Sequence, residues 1–295
     1  MSVTIEPIRR DSTAFAGRVS GVDIAAGVSA EDAAQIEAGM DRFGVLVLHG
    51  QDISDAQQYA FSQHFGPMEK ATGDIAKQGQ RRLSMDINDI SNLNDAGHVM
   101  GRDDRRRLFG LGNMLWHSDS SFKPTPAKFS LLSARVIPDT GGNTEFADMR
   151  AAWDALDKTR QARCRDLICW HSQIHSRGLL GFTDWDAEEL AKNQPVPQRL
   201  VRRHPNTGRL SLYLSAHAGD IEDLPRPEAR MFLIGLNEHA TQRQFVYPHE
   251  WQPFDLVMWD NRVAMHRARE FDHTQVRDMH RTTVADRAPT LEQPL

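Results

Sequence analysis

Cysteine is scarce in this sequence. Its 295 residues include only two cysteines, Cys164 and Cys169, which lie five positions apart in a segment whose pattern predicts a helix. Residues at this spacing diverge around a helix, and neither belongs to a C-x-x-C pattern. These observations exclude a disulfide-stabilised scaffold and a zinc ribbon. We interpret both cysteines as small buried thiols in a reducing compartment.

The sequence also lacks an excess of charge and a long apolar run. Lys and Arg total 35 against 40 for Asp and Glu, a net charge of −5, so there is no basic surface for nucleic acid. The longest apolar runs, such as residues 45–48, are far shorter than the roughly 18 residues of a membrane span. The first ten residues carry charges and no hydrophobic region follows them. We therefore expect a soluble, cytoplasmic protein that binds neither nucleic acid nor a membrane.

Internal repeats and low-complexity tracts are absent, as are the G-x-G-x-x-G and Walker A patterns, which counts against the nucleotide-binding α/β folds. What is present is ordinary globular composition, with 40% hydrophobic and 25% charged residues. A chain of this length forms two domains or one large one. We predict a single domain over residues 1–295.

Apolar periodicity predicts helices and many short strands. A capping pattern at Ser29 begins a helix that ends near Phe43, a strand covers residues 44–48, and a second helix runs from Ser54 to Phe65. Periodicity is lost over residues 68–107 and then returns. The later predicted strands are Phe129–Ile137, Thr144–Phe146, Leu200–Arg203, Leu210–Leu214, Leu256–Trp259 and Thr282–Ala285, and the later predicted helices are Met149–Ile168 and Pro227–Thr241. Short strands separated by turns favour an antiparallel sandwich or barrel with helices outside it.

The first candidate for chemistry is the pair His117 and Asp119. On extended chain, residues two apart project to the same side, so an imidazole and a carboxylate converge on one point. They would supply two of the three ligands in a 2-His-1-carboxylate iron site. Taken alone, such a pair is more often a hydrogen-bonded pair or a turn.

A second segment strengthens this interpretation. Residues 259–266 follow an apolar strand and end in His266, and Arg277 and Arg281 follow eleven and fifteen positions later. On extended chain these two arginines, four apart, face one way. Guanidinium groups pair with carboxylates in bidentate fashion, which suits an acidic co-substrate and an acidic substrate. The alternative is that both arginines lie on the surface.

These motifs, with Thr144, occur in the order and spacing of a known family. The chain resembles the Fe(II)/2-oxoglutarate-dependent dioxygenases of the taurine dioxygenase type over nearly its whole length. Within that family it is most similar to the enzymes that oxidise 2,4-dichlorophenoxyacetate. The most similar stretches are Asp89–Asn92, Leu115–Phe122, Gly141–Ala152, Glu238–Arg243 and Val257–Arg262.

The resemblance implies a fold and an iron site. The fold would be mostly β with flanking helices around a double-stranded β-helix core of the jelly-roll, cupin-like kind, with lid-like loops around residues 68–107 and 170–199. The assembly would be a homo-oligomer. His117, Asp119 and His266 would bind Fe(II) as catalytic metal ligands. Thr144 and Arg277 would bind the distal carboxylate of 2-oxoglutarate.

The resemblance also implies substrate contacts. Arg281 would face the carboxylate of the primary substrate, and His204 and His217 match histidines of the substrate pocket, although a structural role is the alternative for each histidine. Trp116 and Trp259 would wall the site or belong to the core. The candidates for lining the pocket from the loops are Lys70, Ile75, Lys77, Arg177, Leu179 and Leu180.

The expected reaction consumes O2 and 2-oxoglutarate and releases succinate and CO2. It hydroxylates the carbon next to the ether oxygen of an aryloxyalkanoate such as 2,4-dichlorophenoxyacetate, and the product separates into a phenol and glyoxylate. Taurine, an alkyl sulfate or another small organic acid is the alternative substrate. Two other classes stay open: a non-enzymatic metal-binding β-barrel and a zinc hydrolase, since two histidines and an aspartate also suit zinc.

Overall fold

The computed structural model describes residues 2–8, 14–71 and 81–295. Its strands, in chain order, are β1 Thr4–Pro7, β2 Gly17–Ser20, β3 Val45–Leu48, β4 Asn88–Asp89, β5 Ala127–Val136, β6 Thr144–Asp148, β7 Ile168–His171, β8 Val196–Arg199, β9 Val201–Arg203, β10 Leu210–Leu212, β11 Ala218–Ile221, β12 Val246–His249, β13 Leu256–Asp260, β14 Ala264–Ala268 and β15 Asp278–Ala285. The α-helices are α1 Ala30–Phe43, α2 Asp55–Gln63, α3 Arg105–Gly110, α4 Met149–Asp154, α5 Lys158–Cys164, α6 Gln173–Gly178, α7 Ala187–Lys192 and α8 Arg226–Ala240. Short 3-10 helices cover Leu111–Met114, Arg243–Phe245 and Thr290–Glu292.

Two sheets position the site. The larger has seven strands in the order β1-β2-β3-β13-β5-β15-β4, and the second has three in the order β12-β6-β14. Except for the parallel pair β2 and β3, the paired strands run antiparallel. Two smaller sheets, β11-β7-β8 and β10-β9, complete the described strands. The prediction of a mostly β chain with flanking helices is confirmed.

Strand β3 shows how the layers pack. Successive side chains of a strand point to opposite faces, and all four residues of this strand are buried. Leu46 and Leu48 pack in a cluster with Ile36 of α1, whereas Val45 and Val47 pack in a cluster that includes Phe146 of the second sheet. The larger sheet is therefore covered by helices on one face and by the second sheet on the other.

Helix α1 begins and ends where the sequence predicts. The Ser29 side chain accepts a hydrogen bond from the backbone N–H of Asp32 at 3.1 Å, which satisfies one of the free amides of the first turn. At the other end Gly44 adopts a positive φ of 70°, a conformation that glycine adopts without strain, and its N–H donates to the carbonyl of Met40. The predicted helix at residues 227–241 is also present, as α8.

The prediction of one helix over residues 149–168 is wrong. The chain forms α4, then α5, and then β7, because Asp157 accepts from the backbone N–H of Arg160 and starts a new helix. Cys164 ends α5 and Cys169 lies in β7. Both cysteines are buried, and burial raises the thiol pKa to about 11 for Cys164 and about 12 for Cys169. The interpretation of both residues as buried thiols is therefore confirmed.

In its described residues, the region predicted as loop over residues 68–107 contains the strand β4 and the start of helix α3. In the part of the chain that the structure describes, none of the helices has the length and apolar character to cross a membrane.

Candidate active site

The two histidines of the site are joined by their backbones. His117 and His266 form an isolated antiparallel bridge, in which each N–H donates to the other's carbonyl, at 2.9 and 2.8 Å. The bridge sets their ring centroids 4.2 Å apart. Since β14 carries His266, the second sheet fixes where this histidine meets residues 115–119.

Asp119 completes a cluster with these histidines. Its carboxylate oxygens lie 3.8 Å from Nε2 of His117 and 3.7 Å from Nε2 of His266. One donor atom from each of the three residues lies within 4.8 Å of the other two, and all three residues are buried. The prediction from extended chain that His117 and Asp119 project to one side agrees with this geometry.

Neighbouring groups orient the three side chains. Nδ1 of His117 lies 2.7 Å from the carbonyl of Leu115, which can only accept, so Nδ1 carries the proton and Nε2 presents its lone pair. Ser130 donates its hydroxyl to Asp119 at 2.7 Å, and the side chain of Asn261 bonds both that hydroxyl and the backbone N–H of Asp119. Outer partners of this kind hold metal ligands in place.

The charge states of the cluster suit a metal ion. Burial lowers the pKa of His117 and lowers that of His266 well below 6.5, so both rings are neutral near pH 7. Burial opposes ionisation of Asp119, but the positive charge of Arg281, the two histidines and the hydrogen bond from Ser130 together outweigh it and bring the pKa to about 2. Two neutral imidazoles and an ionised carboxylate are the forms that bind a metal. This donor set fits ferrous iron and leaves coordination positions open.

Arg277 and Arg281 reach the same cavity as the cluster, next to His117. The pairing of β15 with β5 contains an irregularity: Asp278 lies opposite Val136 and Met279 lies opposite Ala134, so Arg135 of β5 has no residue of β15 opposite it. Because the extra residue is in β5, side chains along β15 still alternate between the two faces of the sheet. The prediction that the two arginines face one way is therefore confirmed.

Arg277 is a buried cation. Its Nη1 donates to the carbonyl of Ile90 at 3.2 Å, and among the described residues no carboxylate pairs with it. Burial lowers its pKa to about 10. Thr144 and Arg277 line a small pocket beside the main cavity, together with His117 and His266, and the hydroxyl oxygen of Thr144 accepts a hydrogen bond from the indole of Trp251. Two residues before Thr144, Gly142 adopts a φ of 70°, and a Cβ there would lie 3.6 Å from the Arg277 side chain.

Arg281 lies in the cavity but already has a partner. Its Nη1 is bonded to Asp119, while its Nε is buried and makes no hydrogen bond among the described residues. The structure thus brings Arg281 to the cluster itself.

His217 lies where the sequence suggests. It lines the cavity, and its ring stands edge-on to His117 at 6.1 Å and to Phe122 at 4.9 Å. Its Nδ1 lies 2.8 Å from the hydroxyl of Ser176, and burial holds its pKa well below 6.5.

The structure corrects the prediction for His204. This histidine lies outside the lining of the cavity and is buried against the ion pair of Asp260 and Arg262. Its Nε2 lies 3.2 Å from Asp260 and 3.0 Å from Arg262. These contacts hold His204 away from the residues that line the cavity, which agrees with the alternative of a structural role.

We predict that His204→Ala lowers the free energy of unfolding and leaves ligand binding in the cavity unchanged. The expected loss is about 1–3 kcal/mol, the usual cost of removing a hydrogen bond to a buried charged group. Urea unfolding measures the stability and calorimetry measures the binding. If His204→Ala instead weakens ligand binding and leaves stability unchanged, His204 contacts the ligand and its structural assignment is wrong.

The two tryptophans divide between the two expected roles. Trp259 lines the small pocket with its ring 4.6 Å from that of His266, and its indole donates to Asn261. Trp116 packs in a hydrophobic cluster beneath the guanidinium of Arg267 and does not line the cavity.

Of the four candidate loop residues that the structure describes, only Arg177 lines the cavity. Lys70 is exposed and bonded to Asp86, and Leu179 and Leu180 are exposed outside the cavity, so the prediction is wrong for these three. Ile75 and Lys77 lie outside the described residues. Sequence reasoning missed the cavity residues Arg106, Arg107, Phe109, Phe122 and Met114. Only Phe122 lay in a motif that could have indicated it.

A group of charges lies beside Arg281 in β15. His280 bonds Asp55 at 2.5 Å and Asp278 at 3.2 Å, and Arg82 bridges Asp278 and Asp89. Arg135 also contacts Asp55, at 3.3 Å. Burial opposes protonation of His280, but its bonds to Asp278 and Asp55 outweigh burial and raise its pKa above 6.5.

The raised pKa of His280 makes stability depend on pH. The folded chain binds this proton more tightly than the unfolded chain, so the stabilisation is complete below the unfolded pKa and is lost as pH rises through the folded pKa. We expect Tm of the wild type to fall more between about pH 6 and about pH 9 than Tm of His280→Gln. Parallel pH profiles of the two proteins would show that His280 carries no such linkage.

Comparison with known proteins gives consistent matches. Residues 4–283 match the model of the family described as "Taurine catabolism dioxygenase TauD, TfdA family". The chain is 43% identical to the alpha-ketoglutarate-dependent 2,4-dichlorophenoxyacetate dioxygenase of Cupriavidus pinatubonensis, covering 98% of this chain and 99% of that protein. It is 36% identical to the (S)-phenoxypropionate/alpha-ketoglutarate-dioxygenase of Sphingobium herbicidovorans, covering 97% and 96%. A solved structure of AAD-2 with Mn(II) and N-oxalylglycine is 54% identical with a TM-score of 0.95, covering 98% of this chain and all of that one.

Proposed function

This chain belongs to the TauD/TfdA dioxygenase family, and from that premise we propose that it is an Fe(II)- and 2-oxoglutarate-dependent dioxygenase that hydroxylates aryloxyalkanoates such as 2,4-dichlorophenoxyacetate. The observation that carries the proposal is the cluster of His117, Asp119 and His266 beside the buried cation Arg277. The substrate class is supported by the names of two relatives, a 2,4-dichlorophenoxyacetate dioxygenase and an (S)-phenoxypropionate dioxygenase.

His117, Asp119 and His266 would hold the ferrous ion. Their neutral imidazoles and ionised carboxylate match its ligand preference. When bound, iron supplies O2 activation coupled to decarboxylation of 2-oxoglutarate to succinate and CO2. The solved relative with Mn(II) and N-oxalylglycine, a compound with the two carboxylates of 2-oxoglutarate, supports this pairing.

Arg277 and Thr144 would bind the distal carboxylate of 2-oxoglutarate. Burying a carboxylate is costly unless it is paired and hydrogen-bonded. The guanidinium provides the charge and the threonine hydroxyl provides a donor, and both line the small pocket that His266 also lines. The two residues thereby orient the co-substrate and keep water from its charged end.

The reaction we propose breaks the substrate at its ether. Hydroxylation of the carbon between the ether oxygen and the carboxylate forms a hemiacetal, in which one oxygen atom from O2 replaces a C–H by C–OH. The hydroxyl proton passes to the ether oxygen as that C–O bond breaks, which releases a phenol and glyoxylate. Arginines around the cavity would attract the acid, and the aromatic ring of Phe122 would contact its aryl group.

We also infer that the two facing sheets form a jelly-roll core, and that residues 1–295 are one catalytic domain with lid-like loops around 68–107 and 170–199. Packing of Val45 and Val47 with Phe146 across the sheets supports the core. The lining residues that come from 81–114 and from Arg177 support the role of the loops.

The test is a substrate panel with Fe(II), 2-oxoglutarate and O2. It contains aryloxyacetates, 2-aryloxypropionates, taurine and an alkyl sulfate, and it measures succinate and phenol together. We expect succinate and phenol in equal amounts with an aryloxy acid. Succinate formation that is stimulated only by taurine or by the alkyl sulfate would show that the substrate is not an aryloxy acid. Activity that needs zinc and no O2 would overturn the proposal.

A further inference from the structure

Arg177 is a buried cation in the wall of the main cavity. It lies on α6 and is 4% exposed. Its Nη1 donates to the hydroxyl of Ser176 at 3.3 Å, and its guanidinium lies 4.4 Å from the ring centre of Phe109. Its Nε has no hydrogen-bond partner among the described residues.

Most of the other buried arginines have a carboxylate partner. Of the five described arginines that are fully buried, Arg150, Arg202 and Arg262 pair with Asp148, Asp286 and Asp260. Arg277 and Arg177 are the two that do not pair with a carboxylate among the described residues.

A buried charge without a counter-ion is costly, so a buried cation of this kind is a candidate site for an anionic ligand. Burial lowers the pKa of both arginines to about 10, which leaves both charged at neutral pH. Under the proposed function, Arg277 is neutralised by 2-oxoglutarate. By the same argument Arg177 needs an anion, and the other acid of the proposed reaction is the organic acid substrate.

The position of Arg177 agrees with this role. Ser176 links it to His217, whose ring faces His117 of the cluster. Arg177 and both histidines line the same cavity. Arg281, the other candidate, already pairs with Asp119.

Gly112 provides the space for the guanidinium. A Cβ built on this glycine would lie 2.2 Å from Cζ of Arg177. Any side chain at position 112 would therefore displace the guanidinium from the cavity wall.

We propose that Arg177 receives the carboxylate of the organic acid substrate. This inference rests on the proposed function and assigns its specificity to a residue of α6. The neutral amide of the same acid has no charge for Arg177 to pair with, so it serves as the matched ligand.

The test measures dissociation constants by calorimetry with Mn(II) and N-oxalylglycine bound. The ligands are 2,4-dichlorophenoxyacetate and 2,4-dichlorophenoxyacetamide. We expect the wild type to prefer the acid, and Arg177→Gln to weaken binding of the acid on the order of 100-fold and of the amide only slightly. Binding of N-oxalylglycine should change little. Arg209→Gln, on the surface, is the matched control and should behave as wild type.

Gly112→Ala provides a second variant if Arg177→Gln does not fold. It keeps the charge but displaces the guanidinium, and we expect the same selective loss of the acid. Equal weakening of acid and amide in either variant would mean that Arg177 only packs the wall. Loss of the preference in Arg281→Gln, with the preference kept in Arg177→Gln, would also overturn the inference.

Failure of the inference is distinguishable from failure of the proposed function. A wild type that binds the acid through Arg177 but forms no succinate with it would contradict the proposed function and support the anion site. A wild type that forms succinate and phenol, together with an Arg177→Gln variant that keeps its preference for the acid, would contradict only the anion site.

Discussion

Asp119→Ala is expected to reduce succinate formation on the order of 1,000-fold or more, because it removes the only charged ligand from the proposed metal site. The two neutral imidazoles of His117 and His266 that remain cannot balance a divalent cation. Turnover is measured as succinate from 2-oxoglutarate, and affinity for Mn(II) is measured by calorimetry. Both should fall together.

Two variants make this result specific. Asp154→Ala removes a surface carboxylate and should leave turnover unchanged. Ser130→Ala removes the hydroxyl that orients Asp119 and should weaken metal binding by roughly 10–100-fold, the usual effect of an outer partner. Full turnover in Asp119→Ala would contradict the metal site.

Arg277→Gln is expected to raise the 2-oxoglutarate concentration needed for half-maximal rate by about 100-fold or more, since losing one partner of a buried charge pair costs roughly 2–5 kcal/mol. High 2-oxoglutarate should restore part of the rate, because the metal ligands are intact. The measurement is the initial rate of succinate formation against 2-oxoglutarate concentration.

Thr144→Val serves as the graded comparison, because it removes one hydrogen bond and keeps the volume. Its effect should have the same direction and be smaller, about tenfold. An Arg277→Gln variant whose requirement for 2-oxoglutarate is unchanged, with a changed requirement for the aryloxy acid, would reverse the assignment of the two acids.

The sequence is informative where chemistry depends on local spacing. His117 and Asp119 are two residues apart on extended chain, and that spacing already places both donors on one side. The four-residue interval between Arg277, which directly precedes β15, and Arg281, which lies in β15, likewise places both side chains on one side. Helix α1 is predictable because its caps, Ser29 and Gly44, are themselves local signals.

The sequence is less informative where the outcome depends on distant partners. The predicted helix continues past Asp157, but the capping bond from the backbone N–H of Arg160 to Asp157 starts a new helix there. His204 is a plausible pocket residue until the fold brings it to Asp260, 56 positions away.

Arg177 shows the same limit for the site. It lies in a region without a recognised motif, and its lack of a counter-ion among the described residues becomes visible only once the cavity is formed. Local patterns thus identify ligands and caps, whereas charge balance in a buried cavity is a property of the folded chain.

The most direct test of the account is a crystal structure with Mn(II) and N-oxalylglycine, with data collected at the manganese absorption edge. The account predicts one strong anomalous peak within bonding distance of His117, Asp119 and His266, with the distal carboxylate of the ligand on Arg277. A peak elsewhere, or a ligand whose distal carboxylate lies away from Arg277, would contradict it.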